Sequence, residues 1–595
     1  MRIAFDIETD GLYWDATRIH CIVAQDLDTD RVFKYHGDTI EAGIDLLNHA
    51  DLLVGHNIIG YDLPVLEKVY PSACNFAKSK VVDTLVLSRL CFPNLSDLDE
   101  GKRGLDGRSR GSHALRAWGQ RLGLHKSDYD GGWDEFSPEM LSYCTQDVAV
   151  TVKLWKAIFE NRSISPDASA LEHHCAWIVA EQERTGFVFD MRSAFQLVGT
   201  LQERLADIEA KLQDTFPPFF SAVEHKVSSR TINAKKPHVP STTEGAAWTK
   251  IKLNVFNPGS RLHIAEAFKR RYNWIPREFT QNGQPKIDET VLAGLAFPEA
   301  EQIGEYLMLV KRLGQLSDGN NAWLKLARLS YNKQEARIHG QVNSTGAVTR
   351  RATHSNPNMS QAVSAGAAYG AEMRALFTVP RGKKLVGIDV SGLELRMLAH
   401  FMNDPAYTKE VIEGDVHTAN QKAAGLETRN QAKTFIYAFL YGAGNGKIGQ
   451  IVGKGPKHGQ VLKDQFLAQT PSLRSLVDRV ARAARERRYL LSLDNHPFHV
   501  RSEHAALNTL LQGNGAIVCK RWMCMVDDMI KDKYATSVRQ VAWSHDECQF
   551  ECEEAIAEQF AIEATALIAK AGEYYNLRVP LTGEYKIGNN WAETH

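Results

Sequence analysis

Two carboxylates at the ends of separate predicted strands are the first candidates for chemistry. The apolar run 384–389 predicts a strand that ends at Asp389 and is followed by a turn and a helix. Residues 541–550 predict a hairpin with Asp546 at its tip. Acids in these two positions can meet at one edge of a sheet. Two carboxylates that bridge two Mg²⁺ ions are the arrangement that drives in-line phosphoryl transfer.

The stretch from Arg429 to Gly442 predicts a helix with two cations and two aromatic rings on one face. It contains good helix formers and no proline, and Gly442 stands where a C-terminal stop is expected. The side chains stacked one turn above another are Arg429, Lys433, Tyr437 and Tyr441. Two cations one turn apart suit polyphosphate oxygens, and a ring on the next turn can support a base. On the helix alone, a polar face that is merely solvated is an equal alternative.

A second set of acids occurs in the first part of the chain, on three separate predicted elements. Residues 2–7 predict a strand, 56–62 a turn and 138–158 a helix. These elements carry five candidate residues: Asp6, Glu8, Asp62, Tyr143 and Asp147. Four carboxylates and a tyrosine one turn from the last can hold two metals and position a water. The alternative is a set of surface acids.

Length and composition bound the class of protein. The 595 residues suggest about four domains, and a hydrophobic content of 44% is ample for several cores. No apolar run reaches the roughly 18 residues of a membrane span, and the N-terminus leads directly into a strand, so no signal peptide and no membrane association are expected. The nine cysteines include no C-x-x-C pair, which favours reduced thiols in a cytoplasmic protein.

The net charge of −1 argues weakly against a protein that binds nucleic acid. The 70 basic and 71 acidic residues nearly cancel over the whole chain. Acidic metal sites and basic channels can coexist in one molecule, and the sum hides both. Local charge therefore decides the question.

The stretches 384–396, 429–442 and 541–550 together resemble motifs A, B and C of family A DNA polymerases, most closely the replicative polymerases of short-tailed phages. The acids on the first three elements resemble the exonuclease motifs of the DnaQ-like proofreading fold. The resemblance implies an α/β multidomain fold, with a ribonuclease-H-like exonuclease followed by a right-hand polymerase. The implied regions are the exonuclease at 1–160, the thumb at 161–335 with a short basic insert near 217–254, the palm at 336–402, the fingers at 403–492 and the palm again at 493–595.

The resemblance also implies a function for individual residues. The activity is template-directed addition of dNTPs to a primer 3′ end, with 3′→5′ proofreading, and each active site uses two Mg²⁺ ions, for which Mn²⁺ can substitute. In the polymerase site the implied metal ligands are Asp389, the carbonyl of Val390, and Asp546. Lys433 protonates the leaving pyrophosphate, and Glu394 excludes a ribose 2′-hydroxyl. The dNTP-binding residues are Glu394, His417, Arg429, Lys433, Tyr437 and Tyr441, and the DNA-binding residues are Arg351, Asn508, Gln512 and His545. In the exonuclease, Tyr143 orients the water and the metal ligands are Asp6, Glu8, Asp62 and Asp147.

Two segments depart from the family pattern. Thr349-Arg350-Arg351 stands where the family usually has Thr-Gly-Arg, so Arg350 replaces a residue expected to be small, and its extra cation is compatible with DNA. Residues 224–252 lack periodicity and contain six Lys or Arg against two Glu. This predicts an irregular basic segment, and DNA contact, a partner dock and a solvated loop remain open.

The implied partners are primer–template DNA, dNTPs and a helicase, primase or processivity factor. The phage enzymes carry a larger thumb insert on which a host thioredoxin-type factor docks, and the shorter segment here argues against that partner. The expected place of action is the cytoplasm of a bacterial host cell. Three rival classes are a single-subunit RNA polymerase, a stand-alone nuclease and an inactive DNA-binding scaffold. The first would lack Glu394 in this context, the second would not need residues 340–595, and the third would be expected to have lost an acid.

Overall fold

The computed structural model describes residues 1–124, 129–161, 164–233, 235, 241–329 and 335–595. The described chain forms two compact units. The first comprises residues 1–188, 337–365 and 377–595, and the second comprises residues 189–336 and 366–376. Every described helix is too short or too polar to cross a membrane.

The first unit begins with five strands: β1 (Arg2–Thr9), β2 (Ile19–Asp26), β3 (Val32–His36), β4 (Leu52–Gly55) and β5 (Val81–Asp83). They form one sheet in the order β3-β2-β1-β4-β5, in which β1 is antiparallel to β2 and parallel to β4. The accompanying helices are α1 (Ile40–Asn48), α2 (Asp62–Val69), α3 (Thr84–Cys91), α4 (Leu95–Leu98), α5 (Leu115–Leu122), α6 (Pro138–Asn161) and α7 (Pro166–Thr185). The strand predicted at 2–7 and the helix predicted at 138–158 are confirmed by β1 and α6.

The next elements include a two-stranded hairpin that the sequence did not predict. In chain order they are β6 (Phe187–Phe189), α8 (Met191–Thr215), β7 (Phe219–Val227), β8 (Ala247–Asn254), α9 (Arg261–Tyr272), α10 (Glu289–Ala293), α11 (Pro298–Leu313), α12 (Trp323–Leu326) and β9 (Arg328–Leu329). Strands β7 and β8 pair antiparallel, with a bulge between Ala222 and Glu224. The prediction of an irregular segment at 224–252 is therefore wrong at both ends, which are strands. Lys236 of this segment lies outside the described residues.

The remaining elements begin with short strands and end with a four-stranded sheet. They are β10 (Ala336–Ile338), β11 (Gln341–Asn343), β12 (Thr353–Ser355), α13 (Gly370–Ala375), β13 (Phe377–Thr378), β14 (Lys383–Val390), α14 (Leu393–Met402), α15 (Pro405–Ile412), α16 (Val416–Ala424), α17 (Arg429–Leu440), α18 (Asn445–Gln450), α19 (Pro456–Gln469), α20 (Pro471–Arg487), β15 (Tyr489–Leu491), β16 (Pro497–His499), α21 (Ala506–Met529), β17 (Val538–Ser544), β18 (Glu547–Glu553), α22 (Ala557–Tyr574) and β19 (Gly583–Gly588).

The four-stranded sheet has the order β17-β18-β14-β19, and β14 at its centre is antiparallel to both neighbours. Ile388 and Phe550 are fully buried in the hydrophobic core of this part. Gly387 on β14 permits a close approach, because a Cβ there would lie 2.4 Å from the carbonyl oxygen of Thr594. The α/β fold expected from the sequence is confirmed.

Candidate functional site

Asp389 and Asp546 lie at one edge of the β17-β18-β14-β19 sheet. Asp389 is one residue before the end of β14 and pairs with Glu547 on β18. Asp546 lies at the tip of the β17–β18 hairpin, where its carbonyl oxygen accepts a 3.1 Å hydrogen bond from the backbone N–H of Val390. The two acids therefore meet at one sheet edge, as the strand pattern predicts.

The carboxylates at this edge repel one another. Burial, followed by the charges of Asp546 and Glu547, raises the pKa of Asp389 to about 7. Burial, followed by Glu394, raises the pKa of Asp546 to about 6. Together with the backbone carbonyl of Val390, these carboxylates supply the hard oxygen donors that Mg²⁺ prefers. The residues present therefore fit a divalent cation.

Glu547 is a third carboxylate at the edge, and residues 591–595 hold it in place. Its Oε1 accepts hydrogen bonds from Trp591 Nε1 at 2.9 Å and Gln549 Nε2 at 2.7 Å, while its Oε2 lies 2.8 Å from His595 Nδ1. Burial alone would raise the pKa of Glu547. The hydrogen bonds from His595, Trp591 and Gln549 outweigh burial and hold this pKa below its ordinary value. Sequence reasoning missed these contacts because the partners are 44 and 48 positions away along the chain.

A cleft beside Asp546 collects predicted site residues from four segments of the chain. Arg351 Nη2 lies 3.8 Å from Glu394 Oε1, and the hydroxyl of Tyr441 donates a 3.2 Å hydrogen bond to the same oxygen. The lining also contains Gln512, His545 and Asp546. The structure thus brings the predicted sugar-selecting and DNA-binding residues against the hairpin tip.

Three polar atoms of predicted dNTP- and DNA-binding residues have no hydrogen-bond partner within the described part of the chain. They are Nδ1 of His417, Nδ1 of His545 and Oδ1 of Asn508. Buried polar atoms in folded proteins are nearly always paired, so such atoms indicate a place for a ligand. Asn508 and Gln512 lie one turn apart on α21, as predicted.

Helix α17 confirms the helix predicted from the sequence. Thr428 caps its N-terminus in a capping box with Gln431, and Gly442 follows its C-terminus at φ +72, in the left-handed region that favours glycine. The face opposite the cations buries Phe435, Ile436 and Leu440 in the core. Arg429 and Lys433 remain exposed.

Arg429 forms a bidentate ion pair with Asp415. Its Nε lies 2.7 Å from Oδ2 and its Nη2 lies 3.1 Å from Oδ1. Asp415 also caps α16 by accepting a hydrogen bond from the backbone N–H of His417. Since about half of each ionic side chain is exposed, the pair is weak and can exchange for another anion.

Tyr437 on α17 and Tyr441, directly after it, continue the row of Arg429 and Lys433 toward the carboxylates. The ring of Tyr437 lies 6.3 Å from that of Tyr441 and 6.3 Å from that of His417, measured between ring centroids. Burial, followed by the charges of Glu394 and Asp546, raises the pKa of Tyr437. Tyr437 therefore lies within electrostatic range of the sheet edge.

Arg350 is buried and does not face solvent, which corrects the expectation that its cation is available for DNA. It adopts φ +59, a left-handed conformation that glycine accepts without cost. Its guanidinium bonds Glu172 at 2.8 and 3.0 Å and Asp494 at 2.9 Å. Lys520 binds the same carboxylate of Glu172 at 2.7 Å, and all four side chains are at most 3% exposed.

A second acidic cluster lies on β1 and the helix α6. Ligand atoms of Asp6, Glu8 and Cys144 all lie within 4.8 Å of one another. The thiol of Cys144 donates to Oδ2 of Asp6 at 3.5 Å, and burial raises its pKa well above the ordinary value. Sequence reasoning missed Cys144, although it directly follows Tyr143.

Asp62 and Asp147 are the other two predicted acids near this cluster. Oδ1 of Asp62 accepts a 3.2 Å hydrogen bond from the backbone N–H of Ile7, between the two acids of β1. Burial, followed by the charges of Asp83 and Asp147, raises the pKa of Asp62 to about 7. Asp147 is 5% exposed on α6. The oxygen-rich donor set fits divalent cations.

Asp83 supports the geometry of this cluster, and Tyr143 lies beside Cys144 on α6. Asp83 accepts hydrogen bonds from the backbone N–H groups of Asn57 at 2.8 Å and Ile59 at 3.1 Å, which fixes the turn that leads to Asp62. The ring of Tyr143 lies 6.3 Å from that of Trp133. Asp83 was not predicted, because its role depends on a loop fold that no local pattern indicates.

Comparison with known proteins identifies the family. A sequence model of DNA polymerase family A matches residues 230–593. The DNA-directed DNA polymerase of Escherichia phage T7 is 36% identical over 100% of both chains, and that of Enterobacteria phage T3 is 36% identical over 99% of both. The chain belongs to DNA polymerase family A. Membership makes it a template-directed DNA polymerase, and full-length similarity to the two phage enzymes puts it among the phage members.

The fold is shared with a solved bacterial member of family A. The polymerase domain of Pol1 from M. smegmatis, in complex with DNA primer-template and dNTP, matches 100% of this chain with 95% of its own, at a TM-score of 0.75 and 17% identity. Enzymes of family A are metal-dependent, generally on Mg²⁺. The 709 positions aligned with the T7 enzyme exceed the 595 residues here, so that enzyme carries segments that this family A chain lacks.

Proposed function

We propose that the chain adds dNTPs to a primer 3′ end by two-metal phosphoryl transfer, with Asp389, Asp546 and the carbonyl of Val390 as ligands of two Mg²⁺ ions. Mn²⁺ can substitute. When bound, the ions activate the primer hydroxyl and neutralise the triphosphate. The raised pKa values of both aspartates support this role, since a divalent cation offsets the repulsion between them. Glu547, fixed by Trp591 and His595, keeps the hairpin tip in register beside them.

Helix α17 supplies the residues that hold the incoming nucleotide. In this proposal Arg429 leaves Asp415 for the triphosphate, His417 contributes a further contact, and Lys433 protonates the leaving pyrophosphate. The exposure of the Arg429–Asp415 pair supports such an exchange. Tyr437 stacks under the nucleotide and Tyr441 lies beside the templating base. Glu394, held by the Tyr441 hydroxyl, closes the space that a ribose 2′-hydroxyl needs.

The primer–template duplex is bound through its minor groove and its primer terminus. Asn508 and Gln512 donate to the N3 and O2 acceptors, which occur at every base pair, and Arg351 binds the same groove. His545 contacts the primer terminus. Nδ1 of His545, which lacks a partner among the described residues, supports the contact with the primer terminus.

A second activity is 3′→5′ proofreading in the N-terminal part of the chain. Asp6, Glu8, Asp62 and Asp147 hold two Mg²⁺ ions, and Tyr143 orients the attacking water. The arrangement on β1, α2 and α6 supports this, because Asp6 and Glu8 have ligand atoms within 4.8 Å of each other and Asp62 is hydrogen-bonded to the backbone of Ile7 between them. We assign 1–160 to the exonuclease, 161–335 to the thumb, 336–402 and 493–595 to the palm, and 403–492 to the fingers.

The partners follow from the same proposal. They are primer–template DNA, dNTPs and a helicase, primase or processivity factor, in the cytoplasm of a bacterial host cell. A thioredoxin-type factor does not fit the short β7–β8 hairpin, which spans only residues 219–254.

The observation that carries the proposal is the meeting of Asp389 and Asp546 at one sheet edge, within electrostatic range of Tyr437 on α17. The test is extension of a labelled primer with dNTPs and, separately, with rNTPs, followed by incubation without nucleotides. We expect the primer to be extended with dNTPs but not with rNTPs. Without nucleotides, we expect it to be shortened from its 3′ end. Equal extension with rNTPs would favour an RNA polymerase, shortening alone a nuclease, and no reaction an inactive scaffold.

A further inference from the structure

A groove outside both acidic sites lies between residues 90–94 and the β15–β16 hairpin. Its volume is about 520 Å³, which accommodates a nucleotide. Leu90, Cys91, Pro93 and Asn94 form one wall. The other wall is formed by Arg487, Arg488, Tyr489, Leu491, Asn495, His496, Pro497 and His499.

Two arginines give the groove a positive charge that is available to a ligand. Arg487 and Arg488 end the helix α20 and are both exposed. Within the described ranges of the chain, neither guanidinium donates a hydrogen bond or forms an ion pair. Arg488 adopts φ +64, so the chain turns sharply here and presents two consecutive cations beside the start of β15.

The same wall offers apolar and polar contacts for a base. Tyr489 is 39% exposed and Leu491 is 55% exposed, although both belong to a strand. His496 is only 3% exposed, its Nε2 lies 3.3 Å from the carbonyl oxygen of Leu90, and its Nδ1 has no partner in the part of the chain that the structure describes. A positive groove with an exposed aromatic ring is the combination that binds single-stranded nucleic acid.

A short run of residues connects the end of α17 to this groove. A Cβ on Gly442, next to Tyr441, would lie 3.0 Å from the carbonyl oxygen of His504. Glu503 pairs with Arg485 at 2.7 Å, in the last turn of α20, two residues before the first of the two groove arginines. Residues 499–504 therefore lead from the proposed position of the templating base to the groove.

We propose that this groove binds single-stranded DNA, namely the unpaired template strand ahead of the templating base. Arg487 and Arg488 bind its phosphates and Tyr489 stacks with a base. The inference rests on the proposed function in one respect, the position of the templating base beside Tyr441. It adds a binding site that lies apart from the metal and triphosphate residues.

The test measures the affinity of the full-length protein for labelled primer–templates in EDTA. The template 5′ overhang is about 2 or about 12 nucleotides long, below and within the usual site sizes of single-strand grooves. A third substrate carries its unpaired nucleotides on the primer 3′ end. The groove variant is Arg487→Gln with Arg488→Asn, since asparagine accepts a left-handed conformation, and a second variant is Tyr489→Thr. The charge-matched control is Arg474→Gln with Arg482→Gln, two exposed arginines on α20 outside the groove lining.

The wild type and the control should bind the long template overhang about tenfold more tightly than the short one. The groove variant should reduce this ratio to about one and lower the salt dependence by about 1.4, for two phosphates of a single strand. Tyr489→Thr should reduce the ratio with an unchanged salt dependence. A wild-type ratio of one, or an equal ratio in the groove variant, would overturn the inference. Loss of affinity only for the primer-end substrate would also overturn it and assign the groove to a frayed primer.

Failure of the inference and failure of the proposed function are distinguishable. Binding in EDTA requires no metal and no chemistry, whereas the proposed function is tested by extension and shortening of a primer. A protein that extends primers normally but shows no effect of overhang length refutes the groove alone. A protein that extends no primer refutes the proposed function, whatever its binding.

Discussion

Arg350 and Arg351 are neighbours in the chain, yet their side chains have opposite environments. Arg350 is bound by Glu172 and Asp494 inside the protein, whereas Arg351 lines the cleft near Glu394. The left-handed backbone at Arg350 separates the two directions. Removing one member of a buried ionic cluster typically costs about 3–5 kcal/mol, because its partner remains buried and uncompensated. Arg350, which stands where the family usually has glycine, thus fixes the backbone directly before Arg351, a predicted DNA-binding residue.

The first prediction is that Glu394 determines the preference for dNTPs over rNTPs. Glu394→Ala should raise the efficiency of rNTP use relative to dNTP use, because a gap replaces the carboxylate that excludes the 2′-hydroxyl. A steric contact of this size is worth about 1–3 kcal/mol, so the ratio of kcat/KM values should rise by about 10- to 200-fold. Tyr441→Phe is the matched control, since it removes only the hydrogen bond to Glu394 and should act more weakly. An unchanged ratio in Glu394→Ala would contradict the role of a steric gate.

The raised pKa of Asp62 predicts how the stability of the metal-free protein depends on pH. Its folded-state pKa of about 7 lies above the ordinary value of 3.8, so the folded state binds more protons between these values. The contribution of Asp62 to stability is therefore greatest at low pH and falls as pH rises toward 7, by about 2–4 kcal/mol for a buried carboxyl. Asp62→Asn should remove this loss and melt at a higher temperature than the wild type at pH 8 in EDTA.

The comparison at pH 4 provides the internal check, because the two proteins should melt at nearly the same temperature there. Mg²⁺ should stabilise the wild type at pH 8 more than it stabilises the variant, since the amide is a weaker ligand than the carboxylate and both proteins keep the Asp389–Asp546 site. Asp38→Asn, at an exposed position of the same part of the chain, serves as the control and should follow the wild type. A constant difference between Asp62→Asn and wild type at all pH values would refute the prediction.

At the scale of elements, α17 was predictable and the β7–β8 hairpin was not. The cap residue, the buried stripe and Gly442 of α17 are all local signals. The hairpin gives no such signal, because its apolar face is exposed and its other face is charged. Phe220 is 66% exposed and Ile251 is 58% exposed. The bulge after Ala222 also breaks the alternation on which a strand prediction depends.

The register of the β7–β8 hairpin places three of its lysines on one face. Lys226, Lys250 and Lys252 lie on one face, because Lys250 opposes Glu224, two residues before Lys226. If this face touches duplex DNA, it acts through phosphates, which carry no sequence information. Replacing the three lysines with serine should lower the salt slope of DNA binding by at most about 3, and by about 1 to 2 if only some reach phosphates. The products made per binding event should become shorter in a primer extension with a DNA trap.

Two controls separate DNA contact from a partner dock. Lys153→Ser with Lys156→Ser and Lys570→Ser makes the same charge change at exposed positions and should leave the product length unchanged. Phe220→Ser with Ile251→Ser alters only the exposed apolar face and should have no effect on the purified enzyme. Equal product lengths and slopes for the first lysine variant and the wild type would exclude direct DNA contact.

At the scale of the whole molecule, both acidic sites depend on contacts between distant parts of the chain. The motifs indicated which acids belong together, since Asp389 stands near the end of a predictable strand and Asp546 at the tip of a predictable hairpin. The residues that support them were not predictable. His595 holds Glu547 from 48 positions away, and Asp83 holds the backbone of Asn57 from 26 positions away. Such partners are chosen by tertiary packing, to which no periodicity in a single sequence corresponds.

The two sets of acids stand at separate sheets, so we predict that primer extension and 3′ shortening can be lost independently. Asp6 and Glu8 belong to the sheet around β1, and Asp389 and Asp546 to the sheet around β14. Asp389→Asn or Asp546→Asn should therefore abolish primer extension, by about 10³-fold or more for the loss of a metal ligand, and leave 3′ shortening intact. Asp6→Ala with Glu8→Ala should have the reverse effect. Each reaction is measured on the same labelled primer–template, with and without dNTPs.

Glu584→Gln is the matched control for the polymerase variants. Glu584 on β19 pairs with Asp389 across the strands and contributes to its raised pKa, but it is not an expected metal ligand. Its neutralisation should therefore retain most of the extension, whereas the two aspartate variants lose it. Circular dichroism shows whether each variant is folded. A folded Asp389→Asn protein that loses both activities would mean that the acids are assigned to the wrong sites, because the two sets of acids stand at separate sheets.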